Sequence, residues 1–160
     1  MLRYIQILLI LLICLSTFSC SYQSDELNTA EGLMETAPDS ALQVLQSINR
    51  SRLIRPSDKA LYALLMSQAM DKNDIKVESD SLISLATQYY DDKDPLHAGY
   101  AWFYLARCAN NRGNAPVQAD ALLKAQTFAT IADNDKLLGL VYGDKGNMYK
   151  TQQQMDSSIC

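Results

Sequence analysis

Apolar residues recur along this chain at helical rather than alternating spacing. Trp102, Leu105, Ala106 and Ala109 fall at i, i+3, i+4 and i+7, one stripe of a helix. A break follows at residues 111–115 (NRGNA), where Gly113 and Asn114 supply the backbone freedom for a tight reversal. Ala121, Leu122, Ala125, Phe128 and Ala129 then make a second stripe. Large residues alternate with alanines, so residues 98–129 are expected to form two helices packed closely as a hairpin.

The same punctuation divides the rest of the chain. Leu27, Ala30, Leu33, Met34 and Ala37 predict a short helix that Pro38 stops, and Ala41, Leu42, Leu45 and Ile48 predict the next. Residues 49–56 are polar and basic and are expected to form a loop. Ser57 is the expected N-cap of a helix reaching about Met70, with Leu61, Tyr62, Leu65, Met66 and Ala69 inward. After a turn at residues 71–74, Ser79 or Ser81 should open a helix carrying Leu82, Leu85, Ala86 and Tyr89 inward. Beyond the central hairpin, Leu138, Val141, Tyr142, Gly146 and Tyr149 mark a further helix, and residues 155–160 (MDSSIC) are expected to open its partner.

Corresponding positions repeat at a fixed interval. Tyr62, Trp102 and Tyr142 lie 40 residues apart, as do Met66, Ala106 and Gly146, and Leu42, Leu82 and Leu122. Such a period marks stacked helical hairpins. Trp102, Leu105, Ala106, Gly113, Leu122 and Ala125 sit at the offsets of the tetratricopeptide repeat, which the central hairpin resembles. Gly146 and Tyr149 match the family's small residue and Tyr in the next copy, while Ala109, Gln118 and Lys145 depart from its Tyr, Ala and Leu. A 40-residue length also suits HEAT-type repeats, but the Trp-x-x-Leu-Ala and Gly-x-x-Tyr spacings favour the tetratricopeptide family. The resemblance implies an all-α, right-handed solenoid of about three and a half hairpins over residues 27–160, incomplete at its C-terminus.

The first twenty residues follow a different rule. Arg3 precedes an apolar run from Ile5 to Leu15, and small and polar residues then lead to Cys20. The run is too short and too lightly flanked for a membrane span, so residues 1–19 are expected to be a secretory signal. The segment ending Phe18-Ser19-Cys20 resembles a bacterial lipobox, which implies cleavage before Cys20 and acylation of its sulfur. Each buried methylene would contribute about 0.8 kcal/mol, so two chains anchor stably. Residues 20–26 would form the lipidated terminus and a polar tether, and their Ser-Asp-Glu triplet resembles acidic surface-export signals of Gram-negative lipoproteins. Cys14 leaves with the signal, and Cys108 beside the central stripe is expected to be a small core residue.

Composition narrows the function classes. A net charge of −4 without a long basic cluster argues against nucleic-acid binding. Arg50, Arg52 and Arg55 are expected to be solvated loop residues. His97, the only histidine, has no cysteine or carboxylate array around it in sequence and is expected to cap or lie at the surface. Asp91, Asp92 and Asp94 lack the length and glycine of a calcium loop. Neither a phosphate-binding loop nor a nucleophile motif is present, so the chain is expected to need no metal or cofactor and to be no enzyme.

Binding is the expected role. In the tetratricopeptide family the first helix of each repeat lines a concave groove. The resemblance places Phe103, Arg107 and Asn110 there, followed by Gly143, Asn147 and Lys150 and preceded by Ala63, Ser67 and Met70. Arg and Asn donors beside an aromatic suit an extended peptide or a carboxylate. The whole chain resembles exported tetratricopeptide lipoproteins of Gram-negative bacteria, which implies a lipid-anchored protein-binding scaffold of the cell envelope. The alternative is the sensor portion of a larger membrane-associated regulator.

Overall fold

Prolines set the rhythm of the helices. All four stand in a helix's first turn, where the missing N–H would have had no partner. The computed structural model describes residues 25–158, and these are all-helical, with no strand among them. In order come α1 (residues 25–33), α2 (Pro38–Ser47), a 3-10 turn (Arg50–Arg52), α3 (Pro56–Lys72), α4 (Ile83–Tyr90), α5 (Pro95–Asn111), α6 (Ala115–Ile131) and α7 (Asp135–Ser158). Cys14, Cys20, Cys160 and the expected signal segment lie outside the described residues. Asp25 and Glu26, expected in the tether, are already helical, as carboxylates at the positive end of a helix dipole favour.

Three helix ends share one stop. Asp74, Gly113 and Asp133 have φ of 57°, 69° and 50°, the left-handed conformation that closes a helix. The N–H of the next residue, Ile75, Asn114 or Asn134, donates back to Met70, Ala109 or Ala129 at 2.9–3.0 Å. Asn114 and Asn134 then cap the helices that follow, their side-chain oxygens accepting from the backbone N–H of Val117 and Leu137. Each of these two short turns therefore ends one helix and starts the next.

Consecutive helices pack on one another, most extensively α5 on α6, and the odd-numbered helices α3, α5 and α7 also touch. One core joins α3 through α7 around Ile83, Tyr104, Leu122, Leu137 and Val141. A second joins α1, α2 and α3 around Leu27, Leu45, Leu65 and Met66. Shared by both, α3 is buried on nearly all sides, which one inward stripe did not anticipate. The closest approach is at Gly99, where an added Cβ would lie 2.7 Å from a Leu137 methyl and 3.3 Å from Phe128 Cβ.

Several boundaries differ from the sequence expectation. Pro56, not Ser57, opens α3, and the Arg55 side chain makes no cap bond. Pro56 and Pro95 begin α3 and α5 39 residues apart, whereas α7 begins 40 residues after α5. Aligning at 40 throughout therefore displaces α4 by one position. Its buried stripe is Ile83, Ala86, Thr87 and Tyr90, and Leu85, expected inward, is 46% exposed. Residues 155–158 continue α7 rather than starting a partner helix, because no proline and no turn cluster interrupts the run from Asp135, whose three glycines stand singly.

Candidate functional site

The face formed by α3, α5 and α7 is held together by one guanidinium. Arg107 on α5 donates from Nε to Asp71 at the end of α3 over 2.9 Å, and from Nη1 to Asp144 on α7 over 3.5 Å. Burial opposes a charged Arg107, but the two carboxylates hold its pKa above the usual arginine value. Burial pushes the Asp144 carboxyl above its ordinary range even though Arg107 opposes the shift, so the tighter pair is with Asp71. Two aspartates around one arginine leave this spot with a surplus negative charge. The cavity beside it, lined by Ser67, Ile75, Tyr104 and Cys108 among others, holds about 10 Å³, room for one water. Cys108 is buried, which pushes its thiol up to about 11 and keeps it protonated at neutral pH.

The residues assigned to a groove by resemblance separate here. Phe103 is only 4% exposed and packs edge-on against Tyr104 in the core. Ala63 and Ser67 are buried as well, the Ser67 hydroxyl donating to the Ala63 carbonyl. Arg107 already satisfies two carboxylates and joins three helices. Asn110, Asn147 and Lys150 are exposed, as is Gly143. Trp102, expected in core packing, is half-buried against the core; its indole N–H donates to Asp91 at 2.9 Å and Lys124 lies 4.0 Å over its ring.

The remaining polar residues also find structural work. Asp94 caps α5, accepting from the N–H groups of Leu96 and His97, and Asp92 pairs with Lys93. His97 lies between Asp94 (2.6 Å) and Glu31 of α1 (3.2 Å) and stacks on Tyr90. The hydrogen bond to Glu31, reinforced by Asp94, raises its pKa against the effect of burial. It is an inter-helix tie as well as a capping-end residue, and sequence distance concealed the partner 66 residues away. The turn after α1 is tied in the same way, Glu35 binding both Lys72 and Lys136.

A second concavity lies where the 3-10 turn meets α3 and α4. It holds about 430 Å³ and is lined by Arg50, Leu53, Lys59, Tyr62, Leu82 and Leu85, with Ser51 at the edge. This is within the roughly 300–1,000 Å³ typical of ligand sites. Arg50 stands 5.7 Å from the centre of the Tyr62 ring. The basic run around residue 50 was legible, but its apolar floor was not: Leu82 packs against both cores as expected and still borders the groove, while Leu85, also expected inward, is exposed. Among the described residues, no helix is long and apolar enough to cross a membrane, and no group of three or more His, Cys, Asp or Glu side chains is placed to hold a metal ion. Neither protein-family profiles, nor curated proteins, nor solved structures yield a match to this chain.

Proposed function

We propose that this chain is a lipid-anchored, tetratricopeptide-like scaffold of the bacterial cell envelope that binds a protein partner. The observation carrying the reading is the repeated packing of α3, α5 and α7 at intervals of 39 and 40 residues. Regular stacking of this kind suits a right-handed solenoid, whose extended surfaces serve as binding faces. Asn110 on α5 and Asn147 and Lys150 on α7 are the exposed polar groups from which a partner segment would draw hydrogen bonds. Arg107 is a positioning residue in this reading, since its donors fix the helices.

Anchoring rests on Cys20 and the residues before it. In cells, the wild-type chain is expected to partition into the detergent phase of a cloud-point extraction, and Cys20→Ala is expected to move it to the aqueous phase. A photo-crosslinking residue placed at Asn110 or Asn147 is expected to capture a protein adduct, and the same residue at Gln43 on α2 is not. Unchanged partitioning of Cys20→Ala removes the lipid anchor from the reading. Equal crosslinking from all three positions removes the binding face.

A further inference from the structure

We infer that the groove between the 3-10 turn, α3 and α4 is a docking site for an acidic peptide segment carrying an apolar side chain. The reasoning begins with unbalanced charge. Arg50, Arg52 and Lys59 form no ion pair with any carboxylate among the described residues, in a chain whose net charge is −4. Asp58, the acidic residue within residues 50–59, is taken by Arg55 at 2.8 Å. Elsewhere Lys72, Lys124, Lys136, Arg107 and Arg112 have carboxylate partners; Lys76, Lys145 and Lys150 also form no ion pair, but among the described residues only residues 50–59 gather three such cations within ten positions.

The floor supplies the second half of the recognition. Leu53 and Tyr62 are nearly buried, Leu82 is partly buried and Leu85 is open to solvent. One aliphatic side chain entering this space would cover Leu85 and the upper edge of Leu82. Carboxylates on the flanking residues of an extended segment would then meet Arg50 and Lys59, which rim the same groove. Alternation of side chains along an extended strand fits this arrangement, apolar inward and acidic toward the rim. A flat anionic bilayer matches the charge but not the shape, because the floor is recessed. Ile54, 79% exposed, is the apolar side chain that protrudes beside it.

This surface is separate from the α3/α5/α7 face and stands whether or not that face binds a partner. The test uses the full chain and a fluorescein-labelled peptide alternating Glu with Leu, with a Lys–Leu peptide of equal length as control. Anisotropy should show saturable binding of the acidic peptide only, weakening as salt rises. Arg50→Glu with Lys59→Glu weakens it at least about tenfold, as does Leu85→Asp, while Lys76→Glu leaves it unchanged. All these positions are solvent-exposed, and circular dichroism verifies that each variant keeps its helix content. Equal binding of both peptides, or wild-type affinity in the double variant, overturns the inference. So does sedimentation with phosphatidylglycerol vesicles that depends on Arg50 and Lys59 in the absence of peptide binding.

Discussion

Gly99 on α5 and Gly139 on α7 occupy the same place in the repeat, 40 residues apart, yet their surroundings have little in common. A Cβ at Gly99 would press on Leu137, Phe128 and the Ala129 backbone, whereas one at Gly139 would meet nothing within 4 Å. The next positions differ in the same way. Trp102 is half-buried under Lys124, and Tyr142 is 55% exposed; Ala106 is fully buried, and Gly146 is open. Helix α5 has α3, α4, α6 and α7 packed around it, while α7 touches α6 and, more lightly, α5. A repeat position therefore has no fixed energetic weight. The helices packed around it set that weight, and the periodic sequence records only which face is offered.

The largest effect should come from filling the tight contact. Gly99→Val puts two methyl groups where one carbon already overlaps Leu137, which is itself fully buried and has little room to move. We expect a loss of about 3 kcal/mol, the upper range for overpacking. Gly139→Val should change stability by less than about 0.5 kcal/mol, since a modest helix-propensity gain meets no steric opposition. Urea denaturation of the two variants gives both values. Equal losses would mean that the repeat register, not the neighbouring helix, controls packing.

Truncating the aromatic pair should separate the helices less widely. Trp102→Ala removes a partly buried ring, its hydrogen bond to Asp91 and the seat of Lys124, and about 2 kcal/mol is expected. Tyr142→Ala should cost below about 1 kcal/mol, because half of the side chain is already in water and its hydroxyl accepts one exposed bond from Gln126. The measurement is again the denaturation midpoint at constant slope. A Tyr142→Ala loss as large as that of Trp102→Ala would show that α7 is covered by something the intramolecular contacts omit.

This contrast explains what the sequence could and could not show. The helix–turn–helix around Gly113 was legible because its cap, its left-handed glycine and two 3.6-period stripes agree. The left-handed stops at Asp74 and Asp133 were less visible, since aspartate tolerates that conformation without announcing it as glycine does. Helix α4 was misaligned by one residue because a constant 40-residue period hid a 39-residue step, which turned Leu85 from core to surface. The groove assignment divided for a similar reason: spacing identifies one helix face, but α3 and α5 are buried on more than one, so Phe103 went inward while Asn110 stayed out. The partners of Arg107 and the second partner of His97, Glu31, lie 36 to 66 residues away, beyond any local pattern.

The smallest expected difference between α5 and α7 is electrostatic. At its start α7 is tied to the turn after α1 by Lys136 on Glu35, an ion pair that stays charged through neutral pH. The tie from α5 to α1 is His97 on Glu31, and its charge changes near neutrality. Because Glu31 and Asp94 raise the folded pKa above the ordinary 6.5, the stabilisation is fully present below that unfolded value and is lost as pH rises through the folded one. Asp94 is held below the usual carboxylate range by its bonds from His97 and Leu96 despite burial, so it stays ionised across the same window. Glu31 is nearly half exposed, so screening limits the effect to less than about 1 kcal/mol. Wild-type stability should therefore fall relative to His97→Gln as pH rises from the ordinary histidine value of 6.5 through the raised folded one, while Lys136→Gln should follow the wild-type pH slope. Parallel slopes for wild type and His97→Gln would show that the α1–α5 tie carries no proton-linked stability and that both helix starts are held alike.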